Sequence, residues 1–292
     1  MQHYKKLISP YLFVLFLFTI VPMLLIVIYA FTTTRNQVLS FSFTLDNIKN
    51  FFDSQGIFIS VLMTSLRLGL ITTGLCLLIG YPVAYAISLL REKTQTYLIL
   101  LITIPTWINL LIRIYSWVGI LSSKGILNQI LGKLNIGPFN LLYTDVAVVI
   151  GMVYSFLPFM ILPIHSSLTK MDNSLNEASM DLGANKVLTF LKIVFPLSLP
   201  GVLTGITMVF LPAISTFVIP KILAGSQYTL IGSFIETQFI SVGDWNFGSA
   251  VSLILAVIIL LLLSLMNVVD RYTNLDKEDN KGLRKGKRYA KR

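Results

Sequence analysis

One cysteine, two histidines and thirteen acidic residues are all that 292 positions carry, and charged residues of both signs make up only 12% of the chain. Each shortage excludes something. A single thiol, Cys76, closes no disulfide within the chain, and it sits in an apolar run where it reads as a small packed residue. His165 has no Cys or second His near it in sequence, so it reads as a satisfied or solvated ring and no metal site is expected. No G-x-x-x-x-G-K-[ST] stretch occurs, so no P-loop of the chain's own is expected. The charged fraction is about half of the ~25% usual in soluble domains. With 55% hydrophobic residues and a mean hydropathy of +0.78, there is more apolar surface than a soluble core of this length hides. An all-α integral membrane protein is expected.

Six apolar segments, roughly 7–31, 62–90, 96–121, 145–168, 200–224 and 248–270, each supply the ~20 residues of a spanning helix. The first follows a short basic stretch, His3 to Lys6. It is longer than the ~7–15 apolar residues of a cleaved signal peptide and reads as a retained helix. The fifth region holds Pro196, Pro200, Gly201, Gly205, Pro212 and Pro220, which predicts a kinked or partly unwound helix. Alternate placement of the connections puts sixteen Lys/Arg on one side and four on the other. The positive side is cytoplasmic by the positive-inside rule, so both termini are expected there. The chain divides into 1–59 (first helix and outer loop), 60–270 (core, with a cytoplasmic loop at about 169–199) and 271–292. That last tail carries nine Lys/Arg and three acids, and so +6 of the net +10. Directly after a span, it suits anionic lipid better than nucleic acid.

The loop before the fifth span, NEASMDLGANKVLTFLKIVFPLSLPGV at 176–202, is polar where its surroundings are not. Asp172, Asn173 and Ser174 are candidate helix caps. The apolar residues then fall into two groups on either side of Gly183, the second at helical spacing. A short helix, a turn permitted by Gly183 and a second helix leading to Pro196 are predicted. Glu177 and Asp181 lie one turn apart and can face a partner together, while Ala178 allows close approach. Such a helix, tied to a kinked span, acts as a mechanical lever. The alternative is an amphipathic helix resting on headgroups, which its acids disfavour on anionic lipid.

Glu177-Ala178-Ser179, Gly183-Ala184, Phe190, Ile193, Phe195-Pro196 and Pro200-Gly201 resemble the EAA signature of binding-protein-dependent ABC importer permeases. Ser179 stands where that pattern usually has Ala, and Phe195 where it usually has Leu. The resemblance extends over nearly the whole chain: GYPVAYAISL at 80–89, IPTWINLLIRIYSW at 104–117, SFLPFMILPIHSSL at 155–168 and GDWNFGSAVSL at 243–253 look like the spermidine/putrescine permeases of this family, the PotB type. It implies a MetI-like type I ABC importer permease core over spans two to six, with an additional N-terminal helix. It implies a coupling helix at Glu177, Ala178, Asp181, Gly183 and Ala184, with Ile193 and Pro196 behind it, docking on an ATPase. It implies as partners a second permease (PotC type), an ATPase dimer (PotA type) and an extracytoplasmic binding protein (PotD type). ATP and magnesium would sit on the ATPase, and this chain would be a non-catalytic subunit without a cofactor.

A polycation's route calls for carboxylates and aromatic faces. No Lys or Arg falls between Lys221 and Arg271, a stretch that holds Glu236, Asp244 and Trp245. Those three, with Asp145, Tyr154, Trp107 and Trp117, are the candidate substrate path. Trp and Tyr at span ends also serve as interfacial belts, and loop acids are often merely solvated. Lys221 lies where a cation path prefers an acid. Arg113, inside the third span, is expensive in lipid and calls for a structural or gating role; Pro212 and Pro220 are grouped with it as gating candidates. Two rivals remain. One is the same class of importer with another cargo, an amino acid or ferric iron. The other is a self-contained secondary transporter, disfavoured because the spans lack acids near their centres; a membrane scaffold is less suited still.

Overall fold

The structure is a computed structural model describing residues 10–11, 13–35, 38–53, 56–135, 138–172, 174–225 and 229–265. The basic stretch His3–Lys6, the capping candidate Asn173 and the basic tail 271–292 lie outside the described residues. In chain order come α1 (Phe13–Ala30), the antiparallel hairpin β1 (Thr32–Arg35) and β2 (Val38–Phe43), α2 (Asp46–Asp53) and α3 (Ile57–Ser88). Next are α4 (Glu92–Thr103), α5 (Leu110–Leu121), α6 (Ile126–Lys133), α7 (Asp145–Thr169) and α8 (Ser174–Asp181). The rest are α9 (Lys186–Ser215), α10 (Val218–Leu223), α11 (Ile231–Thr237) and α12 (Trp245–Leu265). Among the described residues, six helical stretches are long and apolar enough to cross a membrane: α1, α3, Leu110–Lys133, α7, α9 and α12.

Two of these differ from the sequence expectation. The segment 96–121, expected as one helix, is broken. α4 ends at Thr103, a 3-10 turn covers Ile104–Trp107, and α5 starts afresh at Leu110. Pro105 has no N–H to continue the ladder, and the Asn109 side chain accepts from the Leu111 N–H at 2.9 Å, capping the new helix. The fifth span begins earlier than 200 and ends sooner than 224. A π-turn over Phe190–Val194 loosens it just before Pro196, and it stops at Ser215 after Pro212, with Thr216 extended before α10.

Gly201 and Gly205, read from sequence as breakers, sit within regular helix and serve packing. A Cβ on Gly201 would meet Pro163 O at 2.6 Å, and one on Gly205 would meet Met160 Sδ at 2.8 Å. The small-xxx-small spacing lets α9 lie backbone-to-backbone on α7, the way helices associate where lipid removes the hydrophobic drive.

The contacts divide the described chain into two units. One gathers the described residues up to Met63 with Ile231–Leu261. In it, the Asn246 side-chain N–H donates to Tyr29 O at 3.0 Å and Thr32 O at 2.6 Å, and Asn47 donates to Ala30 O at 3.1 Å. The orphan carbonyls at the end of α1 are thereby satisfied. Phe58 lies 4.9 Å from Phe234 and 5.1 Å from Phe247, ring centre to ring centre. The other unit, Thr64–Leu230 with the described residues from Leu262, has two buried clusters. One is built on Leu68, Ile114, Met152, Ile219 and Leu223, the other on Cys76, Met160, Ile161, Ile164 and Val209. Cys76 is fully buried there, as a packed residue.

Candidate functional site

The polar loop between α7 and α9 folds as its residue types dictate. The Asp172 carboxylate accepts from the Ser174 N–H at 3.0 Å and opens α8. That amide, and after it the Ser174 hydroxyl, hold the Asp172 carboxyl below its ordinary value. α8 closes with Ala184 N–H on Ser179 O at 3.1 Å and Gly183 N–H on Met180 O at 2.9 Å. Gly183 has φ +86°, which only a residue without Cβ adopts at little cost. Asn185 then caps α9, its side chain accepting from Leu188 N–H at 2.8 Å. The two-group apolar pattern and the Gly183 turn are those the sequence predicts.

On this frame Glu177, Ala178, Asp181 and Gly183 are exposed, and Ala184, Ile193 and Pro196 are half-buried. Leu182, at the tip, is 89% exposed. The back of the loop is the reverse. Ser179 and Thr189 are both buried, and their hydroxyls meet at 2.8 Å. The next residue, Phe190, packs edge-on against Tyr81 and Tyr85 of α3, with centroids 5.8 and 5.1 Å away. Tyr81 also lies 5.7 Å from Phe195, and its hydroxyl meets the Ser198 hydroxyl at 2.8 Å. The polar surface helix is therefore tied to α9 through Ser179 and Thr189, and α9 in turn is packed on α3 through an aromatic knot. Sequence reasoning missed this knot. Its one signal was that Tyr81 and Tyr85 recur at i and i+4, the spacing of a shared helix face.

The other candidate positions are scattered among several local roles. Asp145 is paired with Arg67 at 2.6 Å, an exposed ion pair joining α7 to α3. Trp117 of α5 and Tyr154 of α7 meet edge-on at 5.4 Å, so these two are brought together. Trp107 is 77% exposed at the rim of a cleft of about 580 Å³, lined also by Glu92, Gln95, Thr103, His165 and Thr169. His165 Nε2 lies 3.1 Å from Gln95 Oε1, and Gln95 donates to Leu90 O at 2.8 Å. In the smaller unit, Trp245 packs 6.3 Å from Tyr29 and 5.6 Å from Phe239. Asp244 caps α12 by accepting from Phe247 N–H at 2.9 Å, and Glu236 is half-buried in α11.

Lys221 lines a second cleft, of about 540 Å³, with Leu111, Tyr115, Tyr143 and Phe217 at the break between α9 and α10. Pro212 occupies the last turn of α9, and Pro220 is buried in α10. Arg113 Nε is buried and, among the described residues, without a hydrogen-bond partner, which is unusual for a buried N–H. Among the described residues no three His, Cys, Asp or Glu side chains converge as metal ligands.

Among the described residues, six helices of lipid-spanning length with a structured polar loop between the fourth and fifth define a multi-pass membrane protein. Residues 76–274 match the family described as binding-protein-dependent transport system inner membrane component, and the chain belongs to that family. It is 39% identical over 268 residues to the spermidine/putrescine transport system permease protein PotB of Salmonella typhimurium strain LT2, covering 91% of this chain and 93% of the relative. With the protein of that name from Escherichia coli strain K12 it shares 40% over 252 residues, 85% of this chain and 91% of the relative. A chain of a bacterial alginate ABC transporter in complex with an alginate pentasaccharide-bound periplasmic protein superposes with a TM-score of 0.74 at 17% identity, over 92% of this chain and 94% of that one. A chain of the MetNI methionine ABC transporter, in an inward-facing conformation, gives 0.55 at 16%, over 75% and 97%. These two likenesses extend to the fold, which is the MetI-like ABC permease fold.

Proposed function

We propose that this chain is the membrane permease subunit of an ATP-driven importer of polyamines, spermidine or putrescine. The observation that carries the coupling half is the exposed, acid-bearing α8, joined behind to α9, which itself packs on α3. The cargo half rests on the PotB relatives at 39–40% identity over most of the chain. Glu177, Ala178 and Asp181 face a cleft of a partner ATPase dimer (PotA type), and Gly183, Ala184, Ile193 and Pro196 hold the loop's shape. Closure of that dimer around ATP and magnesium moves α8, and α3 and α9 follow. A second permease (PotC type) completes the path, and a binding protein (PotD type) delivers substrate from outside. Both termini lie in the cytoplasm of a bacterial inner membrane, and the basic tail meets anionic lipid. The chain itself catalyses no covalent step and holds no cofactor.

For the path, Trp117 with Tyr154 and the exposed Trp107 offer aromatic faces to ammonium groups. Asp145 contributes its charge where substrate competes with Arg67. Glu236, Asp244 and Trp245 act at the outer side, and Arg113, Pro212 and Pro220 shape the moving elements. One observation favours a second cargo. Lys221 lines the cleft with Tyr115 and Tyr143, and a fixed positive charge there suits a zwitterionic solute such as an amino acid. Uptake of labelled spermidine and putrescine into proteoliposomes holding the full complex decides between them, with an amino acid and ferric iron as competitors. Polyamine uptake that requires ATP and the binding protein supports the proposal. ATP-dependent uptake of another solute removes the cargo assignment, and uptake without ATP removes the coupling role.

A further inference from the structure

Ser179 departs from the usual Ala of the EAA pattern, and the structure supplies a use for the extra oxygen. α8 is exposed along most of its length, yet Ser179 is 7% exposed and Thr189 6%. Their hydroxyls meet at 2.8 Å. The contact joins the outgoing helix to the returning one across the Gly183 turn, ten residues apart in the chain. It sits one residue before Phe190, whose ring enters the aromatic knot with Tyr81 and Tyr85. The residues between, Leu182 to Leu188, are all exposed except the half-buried Ala184. Without a tie, the turn at Gly183 is a hinge: a single left-handed glycine between two short helices resists bending little. The backbone bond from Ala184 N–H to Ser179 O spans only that turn.

We propose that Ser179 and Thr189 form a hydroxyl clasp that makes α8 and the start of α9 one rigid lever. The clasp is a positioning device: neither residue meets the ATPase or the substrate. This inference rests on the coupling role proposed for α8. Ser179→Ala leaves the exposed docking face of Glu177, Ala178 and Asp181 unchanged. It strands little polarity, because the Thr189 hydroxyl can turn back to the carbonyl four residues earlier. What is lost is stiffness between the docked helix and the spans.

The test uses the purified, reconstituted complex with its binding protein. ATP hydrolysis and uptake are measured together for the parent, Ser179→Ala, Thr189→Val, the double variant and Ser179→Thr. The ATPase should co-purify at parental yield with every variant, and each variant should hydrolyse ATP. Substrate moved per ATP should fall about three- to tenfold in each single variant, the range a buried neutral hydrogen bond supports. The double variant should fall no further than the worse single, because both remove one contact. Ser179→Thr keeps a hydroxyl and should restore the ratio. A parental ratio in both single variants overturns the clasp, as do fully additive losses. Loss of the ATPase during purification overturns it too, since the residues would then shape the docking face. If the parent complex shows no ATP-dependent uptake at all, the coupling role itself fails, and the clasp with it.

Discussion

Among the described residues the Tyr81 hydroxyl bonds one oxygen, that of Ser198, while Ser198 also donates to Phe195 O at 2.8 Å. Tyr81→Phe therefore strands no partner and should lower stability by only about 0.5–1.5 kcal/mol, the net worth of one hydrogen bond. Tyr81→Ala removes the ring on which Phe190 and Phe195 rest and should cost about 3–5 kcal/mol. Thermal unfolding in detergent, followed by intrinsic fluorescence, separates the two. Asp244 offers a cleaner probe of charge. Its Oδ1 caps α12, and an amide keeps that acceptor. Asp244→Asn should hold the unfolding midpoint of the parent while polyamine uptake weakens; uptake kinetics equal to the parent's would take Asp244 off the path. Asp172 shows how a residue's position sets its protonation. Its depressed pKa means that the ionised form is the one the folded loop prefers. The contribution is complete above the ordinary carboxylate range and is lost only as pH falls through the lowered value. The opening of α8 should therefore be unchanged through neutral pH, with carboxylate NMR placing the Asp172 midpoint below that of an unfolded peptide.

At the scale of elements, the α7–α9 pair sets the geometry. Their close approach depends on Gly201 and Gly205, and a side chain at Gly201 would strike Ser167 and the Pro163 carbonyl of α7. Gly201→Leu should push the helices apart and cost about 1–3 kcal/mol or more by overpacking. Complex assembly read by size-exclusion chromatography should fall, with Gly201→Ala intermediate. The turn at Gly183 has open space around it but φ +86°. Gly183→Ala should therefore act through the backbone alone, at about 1–2 kcal/mol. Gly183→Pro is incompatible with that angle and should abolish ATPase docking while membrane insertion survives. Co-purification of the ATPase at normal yield with the proline variant would count against the lever.

At the scale of the whole molecule, the asymmetry of Lys and Arg makes a topological claim that labelling can check. With Cys76 buried and slow to react, a single cysteine introduced at Asp181 should react with a membrane-impermeant maleimide in inverted vesicles and not in intact spheroplasts. One introduced at Asp244 should do the opposite. The same sidedness for both positions would overturn the odd–even assignment of the spans.

Composition and pattern alone determined that the chain is a helical membrane protein with a polar helix–turn–helix before its fifth span. Apolar length and the Gly183-centred switch in periodicity are local properties, legible wherever lipid or a turn imposes a local rule. The exposed face of α8 does not follow from that pattern, because Leu175, Met180 and Leu182 are exposed while the polar Ser179 is buried. The break at Pro105–Asn109 was visible as residue types, yet the apolar run overrode them, because hydropathy averages across a cap. Tertiary structure decided what local rules cannot: that Gly201 and Gly205 are contact points and not kinks, that Asp145 answers Arg67 seventy-eight residues away, and that Ser179 finds Thr189 while Tyr81 finds Ser198. Each is a meeting of distant residues. Such meetings depend on how helices cross, which is set by shape complementarity between their faces; the G-x-x-x-G of 201–205 marks a close contact along the chain but does not name the residues it meets.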